Sequence, residues 1–153
     1  MTQADDFRAR LATMSPAQRS AMMIERVRSM PVAPYTEGGY VLRILEVAGR
    51  VSGEVRSTPI AVVQLNDRRY LCAPNHKRDW VRNLLAAGTC RLSPDEAAYT
   101  VGLVGAEEGA PVLSRYLEQL GRVSEEWPFE KGAPIEDIAA HWDTMAVFRV
   151  EAA

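Results

Sequence analysis

The sequence predicts an α+β protein in which helices flank an antiparallel β-barrel or sheet. Two observations predict this class. About six strand-like runs are interspersed with three or four helical patterns, and short turns join neighbouring strands where helical crossovers would otherwise be needed. The chain has 153 residues, of which 47% are hydrophobic and 25% charged, an ordinary globular composition. We therefore expect one domain over residues 1–153, in which 1–39 form an N-terminal helical segment and a loop.

The first clear helix is predicted at 15–30. Ser15 and Gln18 have the spacing of a capping box, Pro16 suits the first helical position, and Pro31 ends the pattern. β-Branched and apolar runs bounded by turn residues then predict the strands. They are expected at 40–48, 54–65, 70–73, 89–93, 97–106 and 145–152.

A second helix is predicted from residue 76 to residue 87, with Asn75 as its N-cap and Gly88 as its stop. Its first turn would carry three basic residues in succession. Free amides and added positive charge at a helix start suit a phosphate or carboxylate, although a solvated basic face explains the same residues. The three are His76, Lys77 and Arg78. Further along the chain we expect a helix at 109–121, an irregular stretch at 123–134 and a helical turn at 137–142.

Composition and motifs narrow the functional class. A net charge of -2 argues against nucleic acid as the main partner, and no apolar run approaches the ~20 residues of a membrane span. The N-terminus lacks a signal-peptide core, and Cys72 and Cys90 lie in strand-like runs as expected of buried, reduced thiols, so we predict a cytoplasmic protein. No metal-ligand spacing, nucleophile elbow or phosphate-binding glycine motif is present. An enzyme of this composition would rely on a bound cofactor.

The polar segment between the first two strands is the strongest candidate site. In an extended chain Arg56 and Thr58 share one face, whereas Val55, Ser57 and Pro59 share the other. Since proline cannot donate to a sheet ladder, Pro59 predicts an edge or a bulge whose neighbouring backbone groups are free to bind a ligand.

The turn before this strand adds to the candidate site. Gly49 and Gly53 allow a tight turn and a close approach of a ligand, and Arg50 and Ser52 would project from it. Guanidinium, hydroxyl and amide groups together are suited to an anion. A plain β-turn with solvated arginines is the alternative.

Beyond these inferences, residues 40–95 resemble the deazaflavin-dependent nitroreductase family of split β-barrels. The resemblance depends on a strand, the pattern G-R-x-S-G-x-x-R-x-x-P, a second strand, a turn containing Asp or Asn, and a helix with W-x-x-N-L. The matching residues are Gly49, Arg50, Ser52, Gly53, Arg56, Pro59, Trp80, Asn83 and Leu84.

The resemblance implies a split barrel that binds coenzyme F-420, a deazaflavin with a phosphate and an acidic tail. The implied activity is hydride transfer to a quinone, a nitro compound or an activated alkene, in a homodimer. It implies cofactor contacts at Arg50, Ser52, Gly53, Arg56, Ser57, Thr58 and Pro59, with Trp80 beside the cleft.

The chain departs from the family in the loop after the third strand, where "APNHKRDW" replaces a Lys-Gly-Gly loop. Ala73, Pro74 and Asn75 would line the cofactor ring there, while Lys77 and Arg78 would replace the lysine. FMN in place of F-420, and a non-catalytic flavin or lipophilic-ligand binder, are the alternatives. No catalytic residue is assigned, because each of the remaining aromatics also suits the core. They are Tyr116, Trp127, Phe129 and Trp142.

Overall fold

The computed structural model describes residues 2–120, 127–130 and 132–153. The elements in chain order are α1 (Gln3–Ala12), α2 (Pro16–Ser29), β1 (Tyr40–Ala48), β2 (Val55–Leu65), β3 (Arg68–Ala73), α3 (Asp79–Ala87), β4 (Thr89–Ser93), β5 (Ala98–Leu103), α4 (Ala106–Leu120), α5 (Ile135–Ala140), a 3-10 turn (Trp142–Thr144) and β6 (Ala146–Ala152). The strands form a closed antiparallel barrel in the order β1-β2-β3-β6-β5-β4. The predicted α+β class, an antiparallel six-strand barrel with flanking helices, is confirmed.

Capping boxes begin both N-terminal helices. The predicted box at α2 is present, since the Ser15 hydroxyl accepts from the Gln18 N–H at 3.2 Å and the Gln18 side chain accepts from the Ser15 N–H. The same motif at Thr2 and Asp5 begins α1, which the sequence analysis did not predict as a separate helix.

A tight turn at Asn66 and Asp67 joins β2 to β3. Both residues have positive φ, 55° and 61°, a conformation that Asn and Asp tolerate better than most residues. The Glu37 carboxylate accepts from their backbone N–H groups at 2.6 and 2.8 Å, and these bonds lower the pKa of Glu37. β3 therefore begins at Arg68, two residues before its predicted start at residue 70.

The apolar core has two layers. The barrel interior is filled from every strand and from α3, with Leu45, Val62 and Phe148 among its fully buried side chains. The second layer lies outside β3 and β6, where α4 and α5 cover the outward-facing side chains. As expected for a chain with many apolar strands, both cysteines are buried, and burial raises the pKa of Cys90 to about 11.

The outer face of β1 is covered more thinly. Helix α2 lies against β1 and β2, yet it contributes no fully buried residue. None of the helices in the described residues is both long and apolar enough to cross a membrane.

The start of α3 differs from the predicted one. The helix begins at Asp79, with Arg78 as N-cap and no side-chain capping bond, so His76, Lys77 and Arg78 precede it and do not form its first turn. The Asn75 side chain instead accepts from the Lys77 N–H at 2.8 Å, which closes a local turn within the loop. The predicted 109–121 helix runs from Ala106 to Leu120, while Gly121 and parts of the predicted irregular stretch 123–134 lie outside the described residues.

Candidate functional site

A cavity of about 770 Å³ lies at the junction of the β1–β2 turn, β2, the start of α3 and the N-terminal half of α2. We call it the edge cavity. Its described lining combines two arginines, hydroxyl groups, one acid and apolar side chains. These residues are Ala17, Ser20, Gly49, Arg50, Val51, Ser52, Val55, Arg56, Ser57, Thr58, Asp79, Trp80 and Asn83.

The edge cavity encloses an unpaired strand edge. Strand β2 pairs with β1 along Val55–Val63, but its pairing with β3 covers only Val62–Leu65. Within the described residues, 55–61 thus have β1 as their sole strand neighbour. Pro59 lies in this segment, which confirms the predicted edge position.

The faces of β2 follow the predicted alternation. Arg56 pairs with Val47 and Thr58 pairs with Leu45, and both partners belong to the barrel interior. Arg56 and Thr58 therefore lie on the interior face at the end of the barrel, whereas Ser57 lies on the outer face. All three line the edge cavity, so this cavity extends around the strand edge.

The β1–β2 turn is held by its own backbone. Gly49 N–H donates to the Glu54 carbonyl at 2.7 Å, and Gly53 N–H donates to the Gly49 carbonyl at 2.9 Å. Gly53 has φ of 75°, which explains the glycine. The Ser52 hydroxyl oxygen accepts from the Glu54 N–H at 3.2 Å, so Ser52 stabilises the turn and also lines the cavity.

Arg50 is fixed by α3. The side-chain carbonyl of Asn83 accepts from the Arg50 N–H at 3.1 Å and from Nη1 at 2.8 Å, and Asp79 accepts from Nη2 at 3.3 Å. Asn83 is 5% exposed, and among the described residues it is one of two polar or charged side chains that are buried. Asn83 is not among the predicted cofactor contacts, although the W-x-x-N-L motif contains it. Arg50 has a structural role in addition to lining the cavity.

Arg56 is the available cation in the edge cavity. It is exposed, and its guanidinium forms no hydrogen bond or ion pair with any residue in the described part of the chain. Trp80 forms the apolar wall nearby, with its ring packed on the barrel interior and its centroid 6.3 Å from that of Phe148. An anionic group and a flat apolar group thus have complementary partners in one cavity.

The loop before α3 lines a different cavity of about 680 Å³, which we call the loop cavity. Its lining is Pro74, Asn75, His76, Lys77, Arg78, Pro128 and Thr144. The His76 N–H donates to the Thr144 carbonyl at 3.1 Å, which ties this loop to the segment before β6.

The predicted contacts are accordingly divided. Arg50, Ser52, Arg56, Ser57, Thr58 and Trp80 come together at the edge cavity. Pro74, Asn75, Lys77 and Arg78 line the loop cavity. The other three line neither, since Gly53 shapes the turn, Pro59 pairs with Ile44 on β1, and Ala73 is completely buried in the barrel interior.

The remaining aromatics belong to the core. Trp127 is buried in the outer layer, and three half-buried rings pack against that layer. The Trp142 Nε1–H also donates to the Val104 carbonyl at 3.2 Å, which satisfies its polar atom. The three half-buried rings are those of Tyr116, Phe129 and Trp142.

No family model matches this chain, and a search of curated proteins finds no similar sequence. A function is therefore inferred from the edge cavity itself.

Proposed function

We propose that the chain is an F-420-dependent reductase of small organic acceptors, such as quinones, nitro compounds or activated alkenes, and that the edge cavity holds the cofactor. When bound, reduced F-420 would supply the hydride. The protein would bind the cofactor, orient it and exclude water.

The lining suits the two parts of such a ligand. Ser57 lines the cavity from the outer face of β2. On the interior face, Arg56 is a cation without a partner among the described residues, and Thr58 adds a hydroxyl donor beside it. An ionic oxygen held by these groups would gain charge-assisted hydrogen bonds. The volume of about 770 Å³ lies within the range of cofactor and drug-sized ligand sites.

The main support for this proposal is the unpaired edge of β2. Residues 55–58 line the edge cavity, and their backbone groups that would bond to a further strand are available to a ligand. The neighbouring turn is rigid because Asn83 fixes Arg50, so the ligand would meet a preformed wall. Asp79 disfavours an anion close to Arg50, so we assign the anionic group to the Arg56 side.

Binding without turnover is a second candidate, supported by one observation. Among the described residues that line the edge cavity there is no His, Cys or Tyr. A proton donor for the acceptor would have to be a hydroxyl group or a water molecule. A flavin or lipophilic-ligand carrier needs no such donor.

FMN is the alternative cofactor. The loop that replaces Lys-Gly-Gly lines the loop cavity and contributes nothing to the lining of the edge cavity, apart from Asp79 and Trp80 at the start of α3. The contacts inferred for the F-420 ring at Ala73, Pro74 and Asn75 therefore gain no support from the described geometry.

A cytoplasmic location and a homodimer stay predictions.

The test is a pair of tryptophan-fluorescence titrations of the full chain with F-420 and with FMN. A Trp80→Phe variant serves as control, because Trp127 and Trp142 lie in the outer layer away from the edge cavity. We expect saturable quenching by F-420 at micromolar or lower concentration, most of it lost in Trp80→Phe.

Turnover then separates enzyme from carrier. Reduced F-420 mixed with menadione or a nitroaromatic should be oxidised faster in the presence of the protein. Binding without this acceleration supports a carrier, and preference for FMN supports a flavin reductase. Absence of binding by either cofactor contradicts the proposed function.

A further inference from the structure

A separate cavity of about 490 Å³ lies on the outer face of β1. We call it the apolar cavity. Its walls are the last turn of α2, the segment 30–33, residues 40–44 of β1, and Ser93 at the end of β4 with the following Pro94. It shares no lining residue with the edge cavity.

This cavity leaves apolar side chains open to water. Met30, Val32 and Tyr40 are 45%, 62% and 38% exposed, and all three line it. They are three of the eight large hydrophobic residues that are exposed in the described chain. Exposed apolar surface gathered at one concave site is typical of ligand binding, because a bound apolar group would remove it from water.

Two arginines line the apolar cavity, and only one is available to a ligand. Arg43 is 3% exposed, and its three guanidinium nitrogens are all engaged. Its Nε pairs with Asp95 at 2.9 Å, while Nη1 and Nη2 donate to the carbonyls of Leu42 and Ala33 at 3.0 and 2.8 Å. Arg28 is exposed and makes no hydrogen bond or ion pair with the described residues.

We infer that the apolar cavity binds an amphiphilic carboxylate, a small molecule with an apolar body and one anionic head. The body would pack against Val27, Leu42 and Ile44, and the head would pair with Arg28. The positive charge of Arg28 favours an anionic head on the ligand, and the apolar lining favours an apolar body. The inference does not depend on the reductase proposal.

Isothermal titration calorimetry with decanoate tests the inference on the full chain, below the concentration at which decanoate forms micelles. We expect one saturable site, with affinity about fourfold higher for each methylene added from octanoate to decanoate. Decanol and decyltrimethylammonium should bind at least tenfold more weakly, because neither places a negative charge at Arg28.

Two variants locate the site. Arg28→Gln should weaken decanoate binding about tenfold and leave decanol binding unchanged, whereas Arg19→Gln on the same helix, outside the cavity, should change neither. Ala33→Phe, on an exposed segment that lines the cavity, should block both ligands while the unfolding temperature stays near that of the parent.

Methionine-methyl NMR gives an independent readout. Decanoate should shift the Met30 methyl resonance, because Met30 lines the cavity, and leave buried Met145 in the outer layer unchanged. The inference is overturned if decanoate does not bind, or if Arg28→Gln binds it as well as the parent. It is also overturned if decanol binds equally well, or if the protein binds phosphatidylglycerol vesicles but not free decanoate.

Discussion

Asn83 and Arg50 are joined by two hydrogen bonds to one oxygen: the Asn83 Oδ1 accepts from both the backbone N–H and the Nη1 of Arg50. This pair connects α3 to the β1–β2 turn, and both residues line the edge cavity. Asn83 is buried, so water would not readily replace the lost carbonyl.

Asn83→Ala should therefore lower the free energy of unfolding by about 1–3 kcal/mol, measured by urea denaturation. The matched control is Asn75→Ala, since exposed Asn75 closes only its own loop. If Asn83→Ala is as stable as the control, the pair does not hold the turn.

Arg56→Ala tests the anion contact in the edge cavity. We expect the dissociation constant for F-420 to rise by an amount equivalent to about 1–3 kcal/mol, because a charge-assisted hydrogen bond is lost. Stability should not change, since the side chain is exposed and unpaired in the described residues. Arg82→Ala, an exposed arginine of α3 that does not line the cavity, is the control. Equal F-420 affinity in the two variants would remove Arg56 from the site.

Glu108 should make stability depend on pH. The hydrogen bond from the Tyr70 hydroxyl, at 2.7 Å, and the nearby Arg149 guanidinium lower the pKa of Glu108 below its ordinary value of 4.5. The folded state thus favours the ionised form, so this contribution is complete above about pH 4.5 and is lost as the pH falls through the lower, folded-state pKa.

Glu108→Gln should cost about 1 kcal/mol at pH 7, a small value because the carboxylate is partly exposed and screened by solvent. The difference from the parent should shrink as the pH is lowered below 4.5. Denaturation curves at several pH values measure it, with exposed Glu107→Gln as the control. A difference that stays constant with pH would contradict this assignment.

Position 109 requires glycine because the Trp142 ring lies against it. In the interior of a helix, glycine to alanine usually stabilises by about 0.5–1 kcal/mol. A Cβ at Gly109 would lie 2.3 Å from two atoms of the Trp142 ring, which a hydrogen bond to Val104 holds in place. Gly109→Ala should therefore destabilise by about 1–3 kcal/mol in thermal or urea unfolding.

Gly102→Ala is the control for this contact, since a Cβ there meets no atom within 4 Å. It should leave stability nearly unchanged or raise it slightly. Gly109→Ala matching or exceeding the parent in stability would show that Trp142 moves aside at little cost.

The barrel could be predicted because its strands carry local signals. Apolar runs between turn residues located all six strands to within a few residues, and Pro59 correctly predicted the strand edge. The capping box at Ser15 located α2 in the same way. These signals depend on neighbouring residues, which a single sequence displays.

The errors arose where one local signal has two structural uses. Asn75 has the side chain of an N-cap, but it closes a turn three residues before Arg78, which is the N-cap of the helix. Asn83 has no local signal for its role, because its partner Arg50 is 33 residues away. The predicted contacts are divided between two cavities because of the path that the chain takes in space. The spacing of residues along the sequence does not show that path.

The unpaired edge of β2 also bears on how the protein avoids aggregation. A free strand edge is a template for pairing with the edge of another molecule. Pro59 lacks the N–H that such pairing would use, and the charge of Arg56 disfavours an incoming apolar strand. The residues that leave this edge open to a small ligand therefore also protect it from other polypeptides, and replacing Pro59 would expose the chain to intermolecular β-sheet formation.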